Sequence, residues 1–252
     1  MLKLATKEDL SSIVTFCEND LLGTRIACYC MAYGFEYDFL RIWIEEADGN
    51  IQTVLAKFYD CITLKTDAET TEEIAEFINM IGFSSLETNL MTCQKLNMQP
   101  SSVKKSYIFD GTAESSDADD LGEEYYKELY SLISRNIPDS FSETKEAYLS
   151  FLSDFSYRSR RGLARCKGII KDSILVSSVL TSAETEKAAL ISGVASDISM
   201  RGMGLGKKTV LTMVNELTNE GKTVFVTALN ESAQGFYEKL GFKYHDDIAI
   251  VL

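Results

Sequence analysis

The chain has 252 residues, of which 45% are hydrophobic and 25% are charged, as is usual for a globular protein. This composition excludes a wholly disordered chain, and the low proline content excludes a collagen-like one. No apolar run reaches the ~18 residues that a membrane helix requires, and the acidic beginning MLKLATKEDL is unlike a signal peptide. We therefore expect a cytoplasmic protein with no membrane partner.

The formal net charge of -13 is concentrated in the first half of the chain. Residues 1–124 contain 9 Lys and Arg against 23 Asp and Glu, whereas residues 125–252 contain 16 against 15. This asymmetry predicts two units with different surfaces, and it argues against a nucleic-acid partner, which requires a basic face. An acidic half could attract a cationic amine by electrostatic steering, or it could simply keep the protein soluble.

In the first half, alternating apolar residues predict strands over 39–45 and 51–59, joined by a turn at 47–50. Residues 61–65 are typical of a third strand. A helix is then expected from Thr70-Thr71-Glu72-Glu73 to Gly82, because acids at its start and a glycine after its end are favourable termini.

The segment 112–124, TAESSDADDLGEE, is acidic and contains no aromatic residue. This composition predicts a solvated linker or loop, and we place the domain border here. The expected domains are therefore an acidic α/β domain over 1–111 and a second domain over 125–252.

In the second half, helices and strands are expected to alternate. Helices are predicted over 124–134, 143–153, 207–219 and 232–240, and strands over 162–171, 173–183, 188–195 and 223–229. This order predicts an α/β or α+β fold with a mixed sheet.

One short pattern occurs in both halves. Residues 77–83 and 236–242 share the form F-x-x-x-[IL]-G-F, and each closes a predicted helix. The repetition suggests two related halves, although chance agreement of one heptapeptide is the alternative.

The six cysteines and the single histidine do not form a metal-binding pattern. There is no C-x-x-C pair, and a structural zinc site requires about four converging Cys or His ligands. We expect most of the cysteines to be small buried residues, His245 to lie at the surface or on an edge strand, and no metal to bind.

The strongest chemical signal is a glycine-rich loop between a predicted strand and a predicted helix. Residues 194–207 read VASDISMRGMGLGK. Glycines let the backbone approach a bulky anion, and the start of a helix offers unpaired N–H groups to it. The loop is not a Walker A sequence, and it lacks the acid that completes a dinucleotide fingerprint. It therefore predicts a pyrophosphate site of another kind.

Together with a second motif, this loop resembles the GNAT superfamily of N-acetyltransferases. The superfamily's loop [RQ]-x-x-G-x-[GA] is matched by Arg201, Gly204 and Gly206. Its motif N-x-x-A-x-x-[FL]-Y-x-[KR]-x-G-F is matched over residues 230–242. The resemblance covers about 125–252 and implies a GNAT-like acyl-CoA N-acyltransferase fold with splayed central strands, preceded by a smaller α/β domain.

The resemblance implies acetyl-CoA as co-substrate and assigns residues to it. The strand residues whose backbone would pair with the pantetheine arm are Val194, Ala195 and Ser196. The loop residues that would hold the pyrophosphate are Arg201, Gly202, Met203, Gly204, Leu205, Gly206 and Lys207. Asn230 would bond the cofactor, Ala233 and Phe236 would pack beside it, and Tyr237 would act as the general acid.

The general base is left open between three carboxylates. Glu184, Glu186 and Asp197 flank the strand before the loop, but each could be an ordinary solvated acid. A cluster of five cations over residues 158–167 could contact an anionic acceptor or a CoA phosphate, or it could be a solvated strand face.

We therefore expect an N-acetyltransferase in which a primary amine attacks acetyl-CoA directly in a ternary complex. A non-catalytic CoA-binding sensor or structural module is the alternative, and a homodimer is compatible with the sequence. The first half has no glycine loop, so we expect it not to bind CoA.

Overall fold

A computed structural model describes residues 1–69, 71–109, 111–113, 116–138 and 141–252. These residues form two compact units. The first contains Met1–Ile108, Thr227–Lys239 and Lys243–Leu252, and the second contains Phe109–Val226 and Leu240–Phe242. The predicted helix start at Thr70 and the linker positions Glu114 and Ser115 lie outside the described residues. The domain bounds 1–111 and 125–252 stay a prediction.

The elements up to residue 109 are, in chain order, β1 (Lys3–Leu4), α1 (Leu10–Cys17), α2 (Leu21–Tyr33), β2 (Leu40–Ala47), β3 (Asn50–Phe58), β4 (Cys61–Thr66), α3 (Glu72–Ile81), β5 (Ser85–Asn89), α4 (Leu90–Lys95) and β6 (Ser102–Phe109). The later ones are β7 (Asp119–Asp120), α5 (Tyr126–Asn136), α6 (Lys145–Ser159), β8 (Cys166–Lys171), β9 (Ile174–Glu184), β10 (Ala188–Ser196), α7 (Leu205–Asn219), β11 (Thr223–Ala228), α8 (Glu231–Lys239) and β12 (Lys243–Val251). The mixed α/β fold class is confirmed.

The first unit is a sheet covered by helices on both faces. Its strand order is β1-β2-β3-β4-β5-β12-β6, and only the neighbours β4 and β5 are parallel among these described strands. Val54 and Ala56 pack in one apolar cluster with α1 and α2, whereas Leu55 packs in another with α3 and α4. Because neighbouring residues of a strand point to opposite faces, the two clusters lie on the two faces of the sheet.

Helix α2 was not predicted from the sequence, because its apolar residues are not confined to one face of the helix. Nine of its 13 residues are buried, including Gly23 and Thr24, so the helix is enclosed on most sides. A helix that is apolar all round gives no 3.6-residue periodicity to detect. Its start is nevertheless ordinary, since the Asp20 carboxylate accepts a hydrogen bond from Gly23 N at 2.6 Å.

The second unit has the strand order β7-β8-β9-β10-β11, in which β10 and β11 are parallel. Leu129, Ile133 and Phe155 from helices α5 and α6 join the apolar cluster on one side of this sheet. The predicted strand over 162–171 begins only at Cys166. Helix α6 runs six residues further than the expected 153, and a turn follows it, with Gly162 N bonded to Ser159 O at 3.0 Å.

The order of elements repeats along the chain. Both β1 to β6 and β7 to β12 follow the sequence β-α-α-β-β-β-α-β-α-β. This repetition agrees with the expectation of two related halves, which stays a prediction. The shared heptapeptides, however, close α3 in the first half and α8 in the second, and these helices are not equivalent in the repeat. The heptapeptide match is therefore a coincidence.

Most of the cysteines are buried, as expected, with Cys61 the exposed one among the six. His245 lies in the part of β12 that pairs with β6, before the pairing with β5 begins at Ile248, so its expected surface or edge position is not contradicted. His245 is half-buried at an irregularity between Tyr244 and Asp246. No helix among the described residues combines the length and the apolar character that spanning a membrane demands.

Candidate functional site

Strand β10 leaves backbone groups free beyond its pairing with β11. The two strands pair from Ala188↔Thr223 to Ile191↔Val226, but β10 continues to Ser196. Beyond Ile191, the backbone groups of β10 that point away from β9 are not used by this parallel pairing. Unpaired edge groups can accept an extended ligand as an additional strand.

A β-bulge lies in the free part of β10. Ser192 pairs with Leu180 and Ala195 pairs with Ser178, so two residues of β10, Gly193 and Val194, face one residue of β9. Gly193 has a φ of 59°, and a Cβ there would lie 2.7 Å from Ile133 Cδ1. The bulge was not predicted from the sequence, although a glycine inside an apolar strand is its usual signal.

Buried hydroxyls of β9 satisfy the bulged backbone. Ser178 Oγ donates to Gly193 O at 3.0 Å, and Ser177 Oγ donates to Ala195 O at 3.2 Å. The Thr209 hydroxyl of α7 lies 2.8 Å from Ser177 Oγ, which ties the first half of that helix to the same strand. These contacts fix the edge of β10 that faces β9, so the opposite edge, which would bind a ligand, is held in one position.

The glycine-rich loop is open towards solvent. Gly202 and Gly204 have φ values of 83° and 74°, a region that glycine adopts readily. A Cβ at either position would meet no heavy atom within 4 Å. Space for a ligand is therefore available directly beside the backbone of this loop.

Helix α7 begins at this loop without a side-chain cap. Gly204 is its N-cap residue, and the first backbone bond of the helix runs from Lys208 N to Gly204 O at 3.1 Å. The N–H groups of Leu205, Gly206 and Lys207 precede that bond, so they have no partner within the helix. With the positive end of the helix dipole, they form an arrangement that suits a phosphate group.

The loop is also attached to the end of α5. Arg201 Nη2 donates to Asn136 Oδ1 at 2.6 Å, and Asn136 Nδ2 donates to Leu132 O at 2.8 Å. No local sequence signal points to Asn136, because it lies 65 positions from Arg201. We expect this contact to restrict the loop.

The second motif forms the start and inner face of α8 in the first unit. Asn230 caps this helix, since its Oδ1 accepts from Ala233 N at 2.9 Å. Ala233 and Phe236 are half-buried. Tyr237 is buried, its ring lies 6.5 Å from that of Tyr107 between centroids, and burial raises the pKa of its phenol.

Two of the three candidate bases lie near the end of β10 that is opposite the glycine loop. Glu184 lies on β9 and pairs with Ala189, near the start of β10, and Glu186 lies in the turn before β10. The glycine loop follows Ser196, at the end of β10. Seven residues of strand correspond to about 20 Å. Asp197 does adjoin the loop, but its Oδ1 accepts from Ser199 N at 2.9 Å and from Ser199 Oγ at 2.6 Å, which lowers its pKa.

Glu184 is not an ordinary solvated acid. It is 1% exposed, and its carboxylate binds Arg165 and Lys222 at 2.5 and 2.6 Å. Arg165 also binds Glu220, and this guanidinium lowers the pKa of Glu220 to about 2. The Glu184 carboxylate is therefore occupied by ion pairs within the second unit.

The basic run 158–167 is solvated only in part, since Arg160 and Arg161 are exposed. Arg158 is buried in α6, where it pairs with Asp154 and donates to Ser182 O at 2.9 Å. Lys167 is likewise buried and pairs with Asp120 and Glu216. These cations serve the second unit's own ion pairs.

Comparison with known proteins agrees with this geometry. Residues 168–250 match the family model described as FR47-like protein, a GNAT-related family. No curated protein sequence matches the chain.

Three similar solved structures cover nearly the whole chain. An acetyltransferase of the GNAT family from Colwellia psychrerythraea has a TM-score of 0.58 at 13% identity and covers 99% of this chain and 98% of its own. A tandem GNAT protein from the clavulanic acid biosynthesis pathway has a TM-score of 0.64 at 13% identity, with 99% and 97% covered. A Drosophila protein has a TM-score of 0.66 at 12% identity, with 99% and 98% covered. The chain therefore has the GNAT fold, and the resemblance to that superfamily is confirmed.

Proposed function

We propose that this chain transfers an acetyl group from acetyl-CoA to a primary amine. The proposal rests on the open glycine loop at the start of α7, which has no side-chain cap. A Cβ at Gly202 or Gly204 would have no heavy atom within 4 Å. Exposed N–H groups at a helix start fit a pyrophosphate, and the donor set requires no metal. The GNAT fold agrees with acyl-CoA as the ligand.

Acetyl-CoA supplies an acetyl group activated as a thioester. The N–H groups of residues 202–207 would bind its pyrophosphate, and the backbone of residues 194–196 would pair with its pantetheine arm. A backbone N–H at the bulge would polarise the thioester carbonyl as the amine attacks it directly. Tyr237 keeps the role that the resemblance implies, donating a proton to the departing thiolate.

The alternative is a CoA-binding module that does not catalyse transfer. The positions of the candidate bases favour this alternative. Glu184 is paired with two cations, Glu186 lies at the end of β10 opposite the glycine loop, and Asp197 accepts hydrogen bonds from Ser199. A protonated amine must lose a proton before it can attack, so transfer would require water or a different residue as base.

Calorimetry with acetyl-CoA tests the binding site. Gly204→Glu places a side chain and a negative charge in the loop, so we expect binding to be lost. Gly221→Glu is the matched control, because Gly221 also has a positive φ, 79°, and open space around its Cβ. It follows the opposite end of α7, about 22 Å away along the 15-residue helix.

Binding that disappears in Gly204→Glu and persists in Gly221→Glu would support the site. Equal binding by both variants would disprove the loop as the pyrophosphate site. Acetylation of a panel of amines by the intact chain would then decide between the enzyme and the non-catalytic module, since the module transfers nothing.

A further inference from the structure

The first unit contains a cavity that the proposed acyl transfer does not use. Its volume is about 450 Å³, within the range of about 300–1,000 Å³ that is common for small-molecule sites. It lies between the start of β2, the β3–β4 turn and the end of α3, and Trp43, Tyr59 and Ile81 give it an apolar part. None of its lining residues belongs to the predicted acyl-CoA set.

Two cations lie side by side in the cavity. Arg41 and Lys57 are direct partners in the antiparallel pair β2–β3, and like charges in such positions destabilise a sheet. Lys57 Nζ is engaged at the end of α3, where it donates to Ile81 O and Gly82 O, each at 2.9 Å. Arg41 pairs with Asp38, whose side chain is 95% exposed, so that pair is weak. If a ligand carboxylate replaced Asp38, the Arg41 guanidinium could donate two parallel hydrogen bonds to it.

Two exposed carboxylates balance these cations. Asp38 and Asp60 line the same cavity, with side chains 95% and 77% exposed. The lining thus combines two positive and two negative groups with aromatic and aliphatic surface. A purely anionic ligand would be repelled by Asp38 and Asp60, and a purely cationic ligand would be repelled by Arg41 and Lys57. A zwitterion with an apolar side chain satisfies both sets.

Tyr59 provides an independent sign of a binding role. It has a φ of 51° in the β3–β4 turn, a conformation that bulky residues rarely adopt and that costs stability. Its ring stacks on Phe39 with centroids 5.5 Å apart, yet the residue is 63% exposed. Glycine or asparagine would suit the backbone of this turn better, whereas the tyrosine ring packs on Phe39 and Phe58 and presents aromatic surface to the cavity.

We propose that this cavity binds a free amino acid with an apolar side chain. Arg41 binds the ligand carboxylate, Asp38 and Asp60 bind its ammonium group, and Trp43 and Tyr59 contact its side chain. The site is independent of acyl transfer, and it would let the first unit respond to an amino acid.

Trp43 allows a direct test, because it is the single tryptophan of the chain. We would titrate the intact protein with L-leucine and follow tryptophan fluorescence, since a ligand beside Trp43 changes its environment. Isoamylamine lacks only the carboxylate of leucine, and isocaproate lacks only the ammonium group. We expect saturable binding of leucine and at least ~10-fold weaker binding of each analogue, because each loses one set of ion pairs.

Two variants separate binding from folding. Arg41→Gln should weaken leucine binding at least ~10-fold, as one charged hydrogen-bonded contact is lost, whereas Arg135→Gln on α5 should leave it unchanged. Tyr59→Asn should weaken leucine binding while raising the unfolding temperature, because asparagine tolerates a positive φ. A merely structural Tyr59 would not give these opposite effects.

Several results would overturn the proposal. No fluorescence response to leucine would exclude the site, and so would unchanged affinity in both Arg41→Gln and Tyr59→Asn. Isoamylamine binding as tightly as leucine would indicate a cation site, and isocaproate binding as tightly would indicate an anion site. Either result would disprove recognition of a zwitterion.

Discussion

At the scale of single residues, burial of Tyr237 reinforces the protonated form that a phenol already has at neutral pH. A phenol removed from water is disfavoured as a phenolate, so its pKa rises and the proton is retained at neutral pH. A general acid must hold a proton when the leaving group departs. Burial in α8 thus keeps Tyr237 in the form that the proposed reaction uses.

We expect Tyr237→Phe to lower kcat by about 100-fold or more while leaving the affinity for acetyl-CoA nearly unchanged, because only the proton donor is removed. Steady-state kinetics and calorimetry on the same protein would measure the two effects separately. Tyr244→Phe is the control, since Tyr244 is 54% exposed on β12. Full activity of Tyr237→Phe would mean that water or another group protonates the thiolate.

The sequence was sufficient to predict the glycine loop, but not to identify the general base. The loop was found because glycines and a following apolar stripe are local signals, and α7 begins within two residues of the expected 207. A base must be near the reacting atoms, and proximity is not local in sequence. For Glu184, the charges that hold its carboxylate come from Arg165 and Lys222, 19 and 38 positions away.

At the scale of elements, the bulge in β10 depends on Gly193. A side chain at this position would contact Ile133 and Leu180 at 2.7 and 3.0 Å, and φ is positive. The bulge lies just beyond Ile191, the last residue paired with β11, and so adjoins the edge that the pantetheine arm would use. The sequence pattern predicted the strand, because its apolar run is continuous, but not this interruption.

Gly193→Ala should therefore lower the free energy of unfolding by about 2 kcal/mol, through overpacking and backbone strain. Gly235→Ala is a control of the same chemistry with the opposite expected sign. Gly235 lies in α8, nothing approaches its Cβ position within 4 Å, and alanine is the better helix former by about 0.5–1 kcal/mol. Urea unfolding of both variants would measure the difference. Equal stability of the two would contradict the packing argument.

At the scale of the whole molecule, the two halves repeat one order of elements but differ where phosphate would bind. The segment between β4 and α3 is equivalent to the glycine loop between β10 and α7. Its residues 67–71 contain no glycine, and the first turn of α3 carries Glu72 and Glu73. Acids at a helix start stabilise the helix and repel a phosphate group from the same N–H groups.

We therefore expect one acetyl-CoA to bind per chain, which calorimetry measures as the stoichiometry. Gly204→Glu should reduce this number from one to zero, because the first half offers no second loop. Replacing Glu72 and Glu73 by glutamine should leave it at one, since removing the repulsion does not create the open backbone that Gly202 and Gly204 provide. A stoichiometry of two, or residual saturable binding in Gly204→Glu, would show that the first half binds acetyl-CoA by other contacts.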